Sequence, residues 1–165
     1  MLTGAELSTH EDFYRAGDLI FGPQPDAAAF AQFQADGVAT VINLRSSAEM
    51  ADLITEQGLD ETATLHAQGV RYVHIPLGGD DGYEPADVEA FAHAVESANG
   101  PVLIHCFSGG RARTMWQAYL VKHRGYNLAE AEAVTATIGG TPTALEQLLG
   151  RDVRATLGGA LPPQP

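Results

Sequence analysis

Residues 101–114, Pro-Val-Leu-Ile-His-Cys-Phe-Ser-Gly-Gly-Arg-Ala-Arg-Thr, decide the fold. Pro101–Ile104 is a short apolar run that reads as a buried strand. Beyond the loop, Met115, Ala118, Tyr119 and Lys122 recur at helical spacing. The strand-loop-helix order puts Cys106 at the carboxyl end of a strand, where open α/β sheets take their ligands. Gly109 and Gly110 permit the sharp turn into the helix.

Such a turn aims successive backbone N–H groups inward as an anion nest. The helix N-terminus adds about half a positive charge. Arg111 adds a planar guanidinium that matches two oxygens of a phosphate. The same surroundings favour thiolate over thiol. One loop therefore holds an oxyanion and makes a nucleophile; the alternative is a buried structural cysteine before an ordinary turn. His105 is expected to orient the loop by hydrogen bonding rather than to act as a base.

Outward from this loop, apolar strands alternate with helical patterns. Leu19-Ile20-Phe21 is a strand ended by Gly22-Pro23. Pro25 opens a helix with Phe30 and Phe33 on one face, closed by Gly37. Val38–Leu44 is a buried strand, and Ser46 or Ser47 caps a helix to Gln57. Tyr72–Pro76 is the next strand. A glycine-rich acidic loop follows, Leu77–Glu84, and then a helix from Pro85 bearing Val88, Phe91, Ala92 and Val95. Further helices are expected at Leu128–Thr137 and Pro142–Leu149. The alternation predicts an α/β fold, a central, mainly parallel sheet of four to five strands flanked by helices. Residues 1–157 are expected to form a single domain, and residues 158–165 (GGALPPQP) a flexible tail.

The composition narrows the function. The 165 residues carry a net charge of −12, which argues against nucleic-acid and membrane partners. It also means that any anion site must be locally basic. One cysteine makes no internal disulfide, and no signal peptide or membrane span is read, so a cytoplasmic protein is expected.

His-Cys-Phe-Ser-Gly-Gly-Arg, residues 105–111, resembles the signature loop of the cysteine-dependent protein-tyrosine-phosphatase superfamily. That loop has five residues between Cys and Arg; here four separate Cys106 from Arg111. The shorter spacing resembles a bacterial branch, the beta-lactamase hydrolase-like phosphatase-like domains. Phe21–Pro25, Val38–Arg45, Tyr72–Leu77, Pro85–Phe91 and Trp116 are also similar to that branch, so the resemblance covers roughly residues 19–125. It implies a dual-specificity-phosphatase type of fold and a phosphoric monoester hydrolase without metal or cofactor. Phosphorylated proteins or small phosphomonoesters are the implied substrates, with phosphate, sulfate or vanadate as site ligands.

Within that resemblance, Cys106 is the nucleophile and Arg111 the clamp, with His105, Phe107, Ser108, Gly109, Gly110, Ala112 and Arg113 completing the phosphate loop. Arg113 is the alternative clamp if the loop is one residue longer. Ala112 departs from the family's Ser or Thr, whose hydroxyl helps the cysteine leave. The general acid is sought on the Leu77–Glu84 loop among Asp80, Asp81 and Glu84, with Asp80 closest to the usual offset. Phe107 and Tyr83 are candidates to flank a phenyl ring. Arg45 and Glu49, four residues apart, have two readings, a pair that supports the site or an ordinary surface pair, and the surface pair is the one favoured. Two other functions fit parts of the pattern: a rhodanese-like sulfurtransferase working through a Cys106 persulfide, and a non-catalytic phospho-ligand binder.

Overall fold

The computed structural model describes residues 13–138 and 144–150. The expected tail at 158–165 and the start of the expected last helix at Pro142 lie outside them. Five strands form one sheet: β1 (Tyr14–Ala16), β2 (Leu19–Gly22), β3 (Thr40–Asn43), β4 (Arg71–His74) and β5 (Val102–His105). Their spatial order is β1-β2-β5-β3-β4. β2, β5, β3 and β4 run parallel, and β1 pairs antiparallel with β2. β5 is therefore the central strand, and all four of its residues are buried.

Helices cover both faces: α1 (Ala27–Ala35), α2 (Ser47–Gln57), α3 (Glu61–Ala67), α4 (Pro85–Glu96), α5 (Gly110–His123), α6 (Leu128–Thr135) and α7 (Leu145–Leu149). Alternate strand residues face opposite sides. Ile20, Val41 and Leu103 join Phe30, Phe33 and Leu65 in one core layer. Phe21, Ile42 and Ile104 join Phe91, Met115 and Trp116 in the other. The indole of Trp116 stacks on Phe21 with ring centroids 4.5 Å apart. Burial on both sides explains why these strands read as continuous apolar runs. Among the described residues no helix is long and apolar enough to cross a membrane.

Two elements went unread in the sequence. β1 is a three-residue edge strand, too short for a period. α3 (ETATLHA) has one buried apolar residue, Leu65, and its other buried side chain is Glu61. It lacks the apolar stripe that betrays a helix; its start is marked by Asp60, which accepts from Ala63 N–H at 3.0 Å. Ser46, one of the two expected caps, caps α2, and the remaining differences are at element ends: α1 starts at Ala27 with Asp26 as its cap, and α6 stops at Thr135.

Candidate active site

Four parallel strands end on one side of the sheet, and their ends build the site. Cys106 follows β5 directly and is 1% exposed. Its N–H donates to Gly22 O at 3.3 Å, while Leu44 N–H donates to His105 O at 2.9 Å. The loop is thus stitched to strands on both sides. Gly109 has φ 103°, a left-handed angle that favours glycine, and it caps α5. This turn directs the Gly109 N–H onto Cys106 Sγ at 3.1 Å. A main-chain donor and the start of a 14-residue helix therefore converge on the sulfur.

Arg111, on the first turn of α5, reaches across to α2 and the acidic loop. Its Nη1 donates to Glu49 Oε1 and to Leu77 O at 2.8 Å; its Nη2 donates to Glu49 Oε2 at 2.9 Å. A guanidinium has five N–H groups, so two are left, Nε–H and the second Nη2–H, on one edge of the plane. They have no partner among the described residues. Burial works to lower the Arg111 pKa, but Glu49, and then the charge of Cys106, outweigh it and raise it.

Glu49 is the hub of this arrangement. Its four lone-pair positions are filled by Arg111 twice, by Ser46 N–H at 3.1 Å and by Arg45 Nε at 3.1 Å. The Arg111 hydrogen bonds, against the cost of burial, bring its pKa down to about 2. The expectation of a surface Arg45–Glu49 pair is therefore corrected. Arg45 is 7% exposed, its Nη1 donates to Gln24 at 2.9 Å, and its guanidinium lies 5.0 Å from the centre of the Phe107 ring. The i,i+4 spacing looked local because its third member, Arg111, is 62 residues away from Glu49.

His105 is fully buried behind Cys106. Its Nε2 meets Glu61 Oε2 at 2.8 Å, and its Nδ1 lies 3.3 Å from Cys106 O. Glu61 Oε1 accepts from Gln24 Nε2 at 2.8 Å. Burial acts to raise the Glu61 pKa, but the His105 charge and these hydrogen bonds prevail and hold it below the usual carboxylate range. The contact with the Cys106 carbonyl is the hydrogen bond to the loop expected of His105. Glu61 itself was not read as a site residue, since its partners His105 and Gln24 are 44 and 37 positions away.

The acidic loop stands beside Arg111 and contains a short 3-10 turn, Gly79–Asp81. Asp81 is tied down: Ser47 N–H and Oγ donate to its carboxylate at 2.8 and 3.2 Å. Asp80 is exposed and its carboxylate has no partner among the described residues. Glu84 is the exposed N-cap residue of α4. At Gly78, φ 91°, an added Cβ would lie 3.2 Å from the Tyr83 hydroxyl and 3.5 Å from Arg111 Nη1, so Tyr83 and the guanidinium are neighbours there. Phe107, 61% exposed, is a rim residue. Ser108 is exposed, Gly110 and Ala112 are buried, and Arg113 is partly buried one position further along α5.

A mostly parallel sheet with a cysteine loop between its central strand and a long helix is the architecture of the protein-tyrosine and dual-specificity phosphatases. The structure of Tk-PTP in its active form superposes with a TM-score of 0.68 over 86% of this chain and 98% of that one, at 22% identity. The chain belongs to the family of beta-lactamase hydrolase-like proteins, phosphatase-like domain, whose model matches residues 13–120. Among its relatives, the beta-lactamase hydrolase-like protein of Xylella fastidiosa (strain Temecula1) is 34% identical over 99 residues, 59% of this chain. The dual specificity protein phosphatase CDC14AB of Danio rerio is 33% identical over 109 residues, 64% of this chain. The matches span 22% and 16% of those relatives' own lengths.

Proposed function

We propose that the chain is a cysteine-dependent phosphatase acting on phosphate monoesters, with aryl phosphates such as phosphotyrosine as the substrate class. The observation that carries the reading is the pairing of a buried sulfur, bonded by Gly109 N–H, with an Arg111 that keeps one two-pronged edge unused. The family and the fold support the same reading.

In the proposed reaction the Cys106 thiolate attacks phosphorus. An S–P bond forms and the bond from phosphorus to the leaving oxygen breaks. Asp80 protonates that oxygen, since Asp81 is held by Ser47. Water then attacks the phosphocysteine and gives its proton to the Asp80 carboxylate. The S–P bond breaks, and phosphate leaves with the thiolate restored. Loop N–H groups and the free edge of Arg111 hold the non-bridging oxygens as charge builds. Tyr83 and Phe107 stand at the rim to meet the leaving group.

The test is hydrolysis of p-nitrophenyl phosphate by the intact chain and its Cys106→Ser variant, with vanadate as inhibitor. Turnover that vanadate blocks and Cys106→Ser abolishes is the expected result. Cysteine-independent turnover overturns the nucleophile. Thiosulfate-to-cyanide sulfur transfer without phosphatase activity replaces the reading with a sulfurtransferase. Vanadate binding with no turnover of any phosphate ester leaves a phospho-ligand binder.

A further inference from the structure

We propose that Glu61 is a positioning residue for the nucleophile: it keeps a protonated His105 buried behind the Cys106 loop and thereby sustains the thiolate. The contacts of the imidazole carry the argument. Nε2 faces a carboxylate oxygen and Nδ1 faces the Cys106 carbonyl, and both of these are acceptors. A neutral imidazole has one N–H, so beside an ionised Glu61, whose pKa lies below the usual carboxylate range, only the doubly protonated ring satisfies both contacts.

Such a cation needs a counter-charge, because an unpaired buried charge is strongly disfavoured. The His105 and Glu61 side chains are each 0% exposed, so water does not supply it. Phe30 packs edge-on against the imidazole at 5.8 Å between centroids. Besides His105 of β5, Glu61 meets Gln24, ahead of α1, and the Tyr72 hydroxyl of β4. On the other side of Cys106 stands Arg111, with Tyr83 beside it and Glu49 and Arg45 behind it.

These groups form one unbroken chain. His105 pairs with Glu61, Glu61 with Gln24, Gln24 with Arg45, Arg45 with Glu49, and Glu49 with Arg111. The chain's two ends, His105 and Arg111, bracket the cysteine loop in sequence. With His105 protonated it holds three positive charges, on His105, Arg45 and Arg111, against two negative ones, on Glu61 and Glu49. The single excess positive charge is matched by the Cys106 thiolate. Without the Glu61 carboxylate a buried cation at His105 has no counter-charge, and the thiolate loses the support behind it.

This inference concerns the sulfur of the proposed reaction but is read without that reaction. As the chain has one cysteine, thiolate absorbance near 240 nm against pH, with Cys106→Ser as blank, reports it alone. Glu61→Gln is expected to move the midpoint to higher pH and to slow iodoacetamide alkylation at pH 6 about tenfold. In a His105→Asn background the same substitution is expected to change neither. Folding is followed by far-ultraviolet circular dichroism. If Glu61→Gln does not fold, Glu61→Asp, which withdraws the charge by one methylene, is expected to give a smaller shift in the same direction. An unmoved midpoint in the folded variant, or an equal shift without His105, overturns the proposal. A shifted midpoint in a protein that hydrolyses no phosphate ester overturns the phosphatase reading and leaves this one standing.

Discussion

Arg111 commits three of its five N–H donors to Glu49 and Leu77, and the remaining two define what it can grip. Lysine has no such edge. Arg111→Lys is expected to weaken vanadate inhibition about tenfold or more, with Arg113→Ala much milder; the reverse order in inhibition assays would move the clamp to Arg113. Asp80→Asn is expected to lower kcat on p-nitrophenyl phosphate by about 10²-fold and to flatten the alkaline limb of its pH profile. Asp81→Asn should keep that limb and act through loop position. At Ala112, fully buried where the family's hydroxyl is missing, slow breakdown of the S–P bond is expected. A burst of p-nitrophenol before steady turnover, shrinking in Ala112→Ser, checks this. Cys106, Arg111 and the acidic loop were legible because they are adjacent in sequence or follow a readable strand. Glu49 and Glu61 were not, because what makes each matter is a partner 62 or 44 residues away.

At the scale of elements, the junction of β5 and α5 is the critical one. Gly109 sits at φ 103°, where a Cβ costs about 1–2 kcal/mol. Gly109→Ala is expected to lower stability by about that much and to reduce activity beyond what the stability loss explains, since it displaces the N–H that meets the sulfur. Chemical denaturation alongside turnover at a temperature where the variant is folded separates the two effects. The same junction shows what periodicity reveals. β2, β3 and β5 are buried on both faces and stand out as apolar runs. α3 buries one leucine and one carboxylate, so it carries no stripe. Half of what it buries is a charged group, which hydrophobic patterning does not detect.

Across the whole molecule, charge acts in two opposed ways. The chain carries −12 overall, yet the site brings Arg45 and Arg111 together around Glu49. Added salt screens the long-range repulsion of an anionic substrate more than the short contacts in the pocket. kcat/KM for p-nitrophenyl phosphate is therefore expected to rise between low and moderate ionic strength. Glu49 also links the site to stability. Its pKa is depressed in the folded state to about 2 from 4.5. Its contribution is thus present above pH 4.5 and is lost as pH falls toward 2. Glu49→Gln should cost about 1–2 kcal/mol at neutral pH, after discounting for partial exposure. The gap to the wild type should close in acid, as urea unfolding at several pH values will show.

Trp116 is the chain's single tryptophan. It lies stacked on Phe21, the residue before the Gly22 carbonyl that holds the Cys106 amide. The molecule therefore carries its own fluorophore against the strand that anchors Cys106. Its emission is expected to change on adding vanadate, and titrating that change would give a label-free optical readout of occupancy.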